Sequence, residues 1–325
     1  MMGRIRIAAT LILALAPWLS RVDADPVATP SAQAPDKIII DTDIGTDIDD
    51  AFAVALALCS PEFKVLGITT ASGDTEARAK ILDRMLGEVG RQDIAVAVGT
   101  PTTLPYGATV DQARYGETSH FVRPTHPKAV DFLFDQIRRY PNEITLVAIG
   151  PLTNVGALID AHPETFRKLK RVVIMGGWIK PLKPEYGDAA PAGPSPEYNI
   201  LGDIHAAQKL FRSGIPLDVM PIDSTAHLAL DEIKRRGIFA QGTPLTDSLT
   251  LQYQQWNGGV TPVLFDAMTL AYLLHPKLCP VEPLHIRVDD TGATLVEDGA
   301  PNAQVCLHSD ADAFFRFYMT RLLAP

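Results

Sequence analysis

Five aspartates and a glycine lie close together near the start of the chain, with types and spacing suited to binding a metal ion. They are Asp41, Asp43, Asp47, Asp49 and Asp50, around Gly45. Carboxylates packed this closely repel one another and raise one another's pKa values unless a cation lies among them. Hard cations prefer oxygen ligands of this kind. The stretch therefore indicates a site for a hard metal ion.

Roles other than metal binding are also possible for these aspartates. Capping and turns use one or two aspartates, fewer than are present here. An EF-hand loop starting at Asp41 would need Gly at its sixth position and Glu at its twelfth, whereas Gly45 stands at the fifth and no Glu follows. An aspartyl-phosphate-type phosphatase, with Asp43 two residues after Asp41, stays open, although Gly45 stands where such a motif has a hydroxyl residue.

A strand and a helix are predicted to position these acids. Ile38, Ile39 and Ile40 are consecutive β-branched residues, which is typical of a strand buried on both faces of a parallel sheet. A helix is predicted over residues 50–58, so the acids lie at its positive N-terminal end.

Strand-like and helix-like runs alternate along the rest of the chain. Strands are predicted over 63–70, 94–98, 144–149, 171–175, 217–220, 284–288, 293–296 and 304–307. Helices are predicted over 74–89, 129–140, 154–160, 203–212, 243–256, 265–274 and 310–323. The segments 100–127 and 180–196 are predicted to be loops. This order predicts an α/β fold with a mostly parallel open sheet, helices on both faces and a ligand site at the carboxyl ends of the strands.

The first residues have the features of a signal peptide, predicted over 1–24. Arg4 and Arg6 form a charged start, residues 7–19 an apolar stretch and residues 22–24 a small-residue cleavage site. We therefore predict a periplasmic or secreted protein with no stable membrane association after cleavage, an uncleaved anchor being the alternative. Residues 25–36, rich in Pro and Ala, are predicted to be a disordered lead-in.

Charge and cysteine content restrict the partners and the compartment. The formal net charge of −9 argues against a nucleic-acid partner, since an acidic face repels phosphates. A small neutral or cationic ligand fits better.

Cys279 and Cys306 could pair in an oxidising compartment and leave Cys59 unpaired, with buried thiols as the alternative. A homo-oligomer is left open by the sequence.

Six motifs at predicted strand ends follow one another in a specific order. They are DTDIGTDIDDA at 41–51, GITTASGD at 67–74, LVAIGPLTN at 146–154, VIMGG at 173–177, PSPEYNILGD at 194–203 and FDAMTLAYLLHP at 265–276. Together they resemble the inosine-uridine preferring nucleoside hydrolases over nearly all of the mature chain. The resemblance implies that residues 37–325 form one nucleoside hydrolase-like catalytic domain. It also implies calcium-dependent hydrolysis of the N-glycosidic bond of a small-molecule ribonucleoside to ribose and free base.

The same resemblance implies the roles of particular residues. Asp43 matches the general base, which activates a metal-bound water. The implied Ca²⁺ ligands are Asp43, Asp49, Asp50, Asp266 and the backbone carbonyl of Ile149. Asp47 is an alternative ligand to Asp49, because the first motif carries two additional residues before its terminal Asp-Asp. The implied substrate-binding residues are Asp74, Glu197, Asn199 and Phe265.

Three positions depart from the family pattern. Asp74 stands where many members have a ribose-binding Asn, and Pro191 or a neighbour occupies the position of another. Phe265 replaces the His that helps the base depart in some members. We therefore expect the leaving base to depend on stabilisation of the sugar by the aspartates, or on a loop residue such as His120 or Tyr115.

Cleavage of a ribosyl C–N bond builds positive charge on the sugar, and a pocket rich in carboxylates stabilises that charge.

Purely structural roles compete with these assignments. Asp266 could cap the helix that follows it, Asn199 could lie in a turn, and Phe265, Trp256 and Trp178 could be core residues. A non-catalytic ribose- or nucleoside-binding protein would keep the metal ligands without needing a base. The preferred nucleobase is not indicated.

Overall fold

The computed structural model describes residues 34–180, 195–257 and 259–324. The predicted signal peptide, most of the lead-in, Pro191 and most of the loop predicted over 180–196 lie outside these residues. From Pro35 onward the described residues belong to one compact unit. No helix within the described ranges is long and apolar enough to cross a membrane.

Eight strands form one central sheet. They are β1 Asp36–Thr42, β2 Phe63–Thr70, β3 Ala95–Val98, β4 Ile144–Ala148, β5 Arg171–Met175, β6 Leu217–Met220, β7 Val281–Leu284 and β10 Ala303–Cys306. Their spatial order is β3-β2-β1-β4-β5-β6-β10-β7, and only β7 runs antiparallel to its neighbour. The predicted mostly parallel open sheet is therefore confirmed.

The strand predicted over 284–288 was wrong. In its place, β7 ends at Leu284 and a separate strand β8, Ile286–Val288, pairs with β9, Thr294–Val296, in a two-stranded antiparallel sheet. The alternation of Leu284, Ile286 and Val288 with polar residues does not reveal that the chain changes sheets between them.

Thirteen helices were found in the described part of the chain. They are α1 Asp49–Leu58, α2 Thr75–Glu88, α3 Ala113–Glu117, α4 Ala129–Arg139, α5 Thr153–Ala161, α6 Pro163–Phe166, α7 Tyr198–Gly202, α8 Ile204–Arg212, α9 Ile222–Thr225, α10 Glu232–Phe239, α11 Pro244–Asn257, α12 Ala267–Leu274 and α13 Ala311–Leu322. Helix α10 and the short helices α3, α6, α7 and α9 were not predicted. Asp231 caps α10 by accepting a hydrogen bond from the Lys234 amide at 3.0 Å, a start signal that the sequence contains.

Strand β1 is buried on both faces of the sheet. Ile38 and Ile40 pack in one core with Phe52 of α1, whereas Ile39 packs in the core on the other face, with Phe132 of α4. Because successive side chains of a strand point to opposite faces, three consecutive isoleucines serve both cores. The prediction for this strand is confirmed, and the strand fixes where the aspartate loop begins.

A disulfide joins Cys279, which follows a short 3-10 helix at Pro276–Leu278, to Cys306 at the end of β10. The two Cα atoms are 5.6 Å apart. Cys59 is an unpaired thiol. The bridge closes a loop of the chain with a sequence separation of 27 residues and ties this loop to the sheet.

Candidate active site

A cavity of about 330 Å³ lies at the carboxyl ends of the central strands. Ile149 follows β4, Met175 ends β5 and Ile222 follows β6, and all three line it. Six acidic residues also line it: Asp43, Asp47, Asp49, Asp50, Glu197 and Asp266. Tyr198, Trp256 and Phe265 contribute aromatic surface. The cavity thus combines carboxylates with an aromatic wall, at the position that a parallel sheet predicts.

Three of these acids converge in space. Asp49 and Asp50 begin α1 and Asp266 immediately precedes α12, and one carboxylate oxygen from each lies within 4.8 Å of the others. Helices α1 and α12 pack against each other, which brings together residues that are far apart in sequence. The Asp266 amide donates a hydrogen bond to Asp49 Oδ2 at 3.3 Å. All three side chains are buried.

Capping does not account for Asp266. Its side chain makes no capping hydrogen bond to α12. The side chain instead points to the carboxylates of Asp49 and Asp50, close enough for one ion to contact all three. Of the two roles considered for this residue, the structure supports the one at the cavity.

Burial raises the pKa of Asp49, of Asp50 and of Asp266 well above the usual range, and the charges of the neighbouring aspartates raise them further. No ion pair among the described residues joins any of the three to a cationic side chain. A buried carboxylate without a countercharge is strongly disfavoured. Three buried oxygen donors that converge in this way fit a hard divalent cation.

Asp43 lies beside this group on the loop after β1, close to the loop after β4. A Cβ on Gly150 would lie 2.8 Å from both the amide nitrogen and Oδ1 of Asp43, so this contact requires glycine. Burial raises the pKa of Asp43 to about 6, and the Arg78 guanidinium opposes that rise. The carboxylate is therefore ionised at neutral pH yet is a stronger base than an exposed aspartate.

Arg78 is a fully buried cation that sequence reasoning missed. From α2 it donates to the Ile44 carbonyl at 2.8 Å, to Thr46 Oγ1 at 2.9 Å and also to the Asp43 carbonyl. Its Nη2 lies 4.0 Å from Asp43 Oδ2. Arg78 therefore donates hydrogen bonds to three residues of the aspartate loop and stabilises the conformation of that loop.

A sequence signal for Arg78 was present. It precedes Ile81, Leu82 and Met85 by three, four and seven residues, so it lies on the apolar stripe of an amphipathic helix. A charged residue on such a stripe indicates a buried partner.

Asp47 and Asp41 differ from the converging acids. Asp47 lines the cavity but is only half-buried, and its Oδ1 accepts a hydrogen bond from the following amide at 2.6 Å. It is not part of the group formed by Asp49, Asp50 and Asp266.

Asp41 is fully buried and does not line the cavity. Its Oδ1 accepts hydrogen bonds from Asn154 Nδ2 at 2.7 Å and from the Thr69 hydroxyl. A nucleophile must reach its substrate. This position therefore weighs against a phosphatase that uses Asp41.

Asn199 and Ile149 form the part of the cavity between β4 and β5. The Ile149 carbonyl accepts a hydrogen bond from Asn199 Nδ2 at 3.2 Å, which leaves a second lone pair for another partner. Asn199 Nδ2 also donates to the Met175 carbonyl at 3.1 Å. Asn199 therefore ties the ends of the two strands together as well as lining the cavity.

Glu197 and Phe265 line the cavity, whereas Asp74 does not. Glu197 accepts hydrogen bonds from the amides of Gly177, Asn199 and Ile200 at 3.0, 2.9 and 3.1 Å. Asp74 is exposed and caps α2 by accepting from the Ala77 amide at 3.0 Å. This position weighs against the expectation that Asp74 binds ribose, because its carboxylate caps a helix end on the surface.

Neither loop residue considered as an acid reaches the cavity. Tyr115 is fully buried, and its hydroxyl is 2.7 Å from both Glu88 Oε2 and Ser248 Oγ. His120 is exposed, and neither residue lines the cavity. The position of Tyr115 in the core, where α3 places it, weighs against the loop-residue alternative. Stabilisation of the sugar by the aspartates stays a prediction. Tyr198 was not singled out from the sequence, although it is the aromatic residue between Glu197 and Asn199, the two positions expected to bind substrate.

Comparison with known proteins agrees with this geometry. The family described as inosine-uridine preferring nucleoside hydrolase matches residues 38–316. The pyrimidine-specific ribonucleoside hydrolase RihA of Citrobacter koseri is 32% identical over 315 residues, which cover 88% of this chain and 97% of that protein.

Solved structures are similar over the same extent. A plant nucleoside hydrolase, the PpNRh1 enzyme, matches with a TM-score of 0.76 and 28% identity, covering 90% of this chain and 100% of that one. The purine-preferring ribonucleoside hydrolase from Gardnerella vaginalis matches with a TM-score of 0.71 and 25% identity, covering 88% and 98%.

Proposed function

Because the chain belongs to the inosine-uridine preferring nucleoside hydrolase family, we propose that it hydrolyses the N-glycosidic bond of ribonucleosides with Ca²⁺ as its metal and Asp43 as its general base. The observation that carries the proposal is the convergence of Asp49, Asp50 and Asp266 beside Asp43 in one cavity. This arrangement supplies a cation site and a base together, as hydrolysis requires.

Calcium is proposed from the chemistry of the donors. Asp49, Asp50 and Asp266 offer only carboxylate oxygens, and the Ile149 carbonyl adds a neutral oxygen close by. Zinc sites typically include His or Cys, whereas Ca²⁺ takes six to eight oxygens in flexible geometry. When bound, the ion offsets the charge of the carboxylates and orients hydroxyl oxygens of the substrate.

In the proposed mechanism, Asp43 removes a proton from the attacking water. Its pKa, raised to about 6 by burial, lies near the pH at which it would work, and a base tuned in this way contributes roughly 10²- to 10⁴-fold in rate. Water adds to the anomeric carbon as the C–N bond breaks, and the bonding electron pair leaves with the base. The water proton passes to Asp43.

The remaining carboxylates act on the sugar. As the bond breaks, positive charge develops on the ribose ring, and Asp43, Asp47 and Glu197 surround the space available to it. Trp256 and Phe265 provide apolar surface for a flat base. The cavity therefore has one part suited to a polyol and another suited to an aromatic ring.

We further propose that the protein works in the periplasm or outside the cell. The charged and apolar start of the chain and the Cys279–Cys306 disulfide both support this location, since disulfides persist in oxidising compartments. Fractionation of cells that express the full chain should place the shortened, mature form outside the cytoplasm. Recovery of the uncleaved chain from the cytoplasm would contradict this location.

The activity is tested with purified mature protein and a panel of ribonucleosides that includes uridine and inosine. Ribose and free base should be released in equal amounts with Ca²⁺ present, and chelation should stop the reaction. Binding of nucleosides without any release would favour a non-catalytic binding protein. Release of phosphate from phosphate esters would favour the phosphatase.

A further inference from the structure

The side chain of Tyr198 has a role that the chemistry above leaves unassigned. Its hydroxyl is buried and has no hydrogen-bond partner among the described residues, although the residue lines the cavity. Within the described part of the chain, no other residue that lines the cavity has an unsatisfied buried polar atom. An unpaired buried hydroxyl is costly, so its presence in a cavity indicates a partner that arrives with the substrate.

The neighbours of Tyr198 show which part of the cavity it occupies. Glu197 and Asn199 on either side are buried and bonded to the ends of the strands. The ring of Tyr198 contacts that of Tyr106, with a centroid distance of 6.5 Å, and Tyr106 is 78% exposed. Tyr198 therefore lies between the buried acids and the outer edge of the cavity.

The hydroxyl is also within electrostatic reach of the acids. Burial raises the pKa of Tyr198 well above its ordinary range, and the negative charge of Asp43 raises it further. The phenol therefore keeps its proton at any working pH. It can donate a hydrogen bond but is a poor source of a transferable proton.

Resting on the proposed function, we propose that the Tyr198 hydroxyl donates a hydrogen bond to the departing nucleobase. With the ribose held by the acids, the proposal puts the junction of sugar and base between Asp43 and the outer edge of the cavity, within reach of Tyr198, which lines the cavity there. Purines and pyrimidines both carry an acceptor two bonds from the glycosidic nitrogen: N3, reached through C4, in purines and the O2 carbonyl oxygen, reached through C2, in pyrimidines.

The hydrogen bond strengthens as negative charge develops on the base, so it favours the transition state over the bound substrate. No proton is transferred in this step. The electron pair of the C–N bond leaves with the base, Tyr198 stays protonated and the base takes its proton from solvent. Phe265 has no polar hydrogen to offer, so Tyr198 supplies the stabilisation that this position lacks.

The test compares Tyr198→Phe with the unaltered protein on uridine, inosine and p-nitrophenyl riboside. p-Nitrophenolate is stable without a hydrogen bond from the protein. We expect kcat/KM to fall roughly 10- to 100-fold on both nucleosides, as for loss of a hydrogen bond to a charged group, and to change less than about twofold on the p-nitrophenyl substrate. The inhibition constant of free ribose should not change.

Tyr272→Phe is a matched control, because it removes the hydroxyl of another buried tyrosine that does not line the cavity. The Tyr272 hydroxyl lies 3.4 Å from Asp218 Oδ1. The ratio of nucleoside to p-nitrophenyl activity should be unchanged in that variant. An equal loss on all three substrates in Tyr198→Phe, or no loss on any, would overturn the assignment. Failure of the unaltered protein to cleave nucleosides would instead contradict the proposed function.

Discussion

Two buried acidic sites in this molecule are neutralised in different ways. Asp83 on α2 is buried, but Arg123 Nε lies 3.0 Å from its Oδ1 and His126 Nε2 lies 3.0 Å from its Oδ2. Asp49, Asp50 and Asp266 are equally buried and are surrounded by other carboxylates. The first site contains its own cation, Arg123, whereas no ion pair among the described residues supplies one to the second.

The difference separates a structural acid from a functional one. The carboxylate of Asp83 joins α2 to the segment that contains Arg123 and His126, and the Arg123 amide also donates to it at 3.1 Å. Such a network holds a loop and leaves no room for a ligand. Asp49, Asp50 and Asp266 hold no loop through ion pairs among the described residues. Their arrangement has a physical reason only when a cation binds, so the comparison makes predictions about variants of both sites.

The largest effect is expected for Asp43→Asn. The amide cannot take a proton from water, so kcat should fall by roughly 10²- to 10⁴-fold, while the affinity for ribose changes little. Asp266→Asn, measured in parallel, should weaken both calcium and ribose binding, because it removes a member of the converging group. Steady-state kinetics and calcium titration distinguish the two variants. If both lose only affinity, Asp43 is not the base.

The next effect is expected for Asp83→Asn. The neutral amide removes the negative charge that pairs with Arg123, and breaking a buried pair costs about 3 kcal/mol of unfolding free energy. Denaturant unfolding measures this loss. Calcium affinity should equal that of the unaltered protein, and a marked change in that affinity would show that the two acidic sites are not independent.

Metal removal should have a slightly smaller effect on stability. At a calcium concentration 100 times the dissociation constant, binding stabilises the folded state by about 2.7 kcal/mol. For a chain of this size that corresponds to a melting temperature lower by roughly 4–5 °C after chelation. Calcium should restore both stability and activity. A melting temperature unaffected by complete metal removal would argue against a metal among Asp49, Asp50 and Asp266.

The smallest effect concerns pH. Burial raises the pKa of Asp43 to about 6 and that of Asp49 above its ordinary value, so the folded protein without metal binds more protons than the unfolded chain. Its stability should therefore be greatest below about pH 4 for these groups, and Asp43 alone should lower it by roughly 2 kcal/mol between pH 4 and pH 6. Unfolding at several pH values tests this, and bound calcium should remove the decline.

Much of the fold follows from local patterns. The strand predictions over 63–70, 171–175 and 217–220 match β2, β5 and β6 at both ends, because each is a short apolar run bounded by loop residues. Helix α10 was missed because its pattern is weakly apolar, and the strand predicted over 284–288 was divided between two sheets.

The aspartate loop was also recognisable, because its acidic residues are close together in sequence and their negative charges repel one another. By itself, then, the sequence determined the strand β1, the acidic loop that follows it and the order of motifs that identifies the family. All of these depend on neighbouring residues, where side-chain type and spacing act directly.

Only the tertiary structure decided which polar groups meet. Packing of α1 against α12 places Asp266 beside Asp49, from which it is 217 residues distant, while Asp74 lies at an exposed helix end and Tyr115 in the core. The hydroxyl of Tyr198 is left unsatisfied in the cavity. Such outcomes depend on how distant elements pack, because a side chain's partners are set by the three-dimensional arrangement of elements and not by its neighbours along the chain.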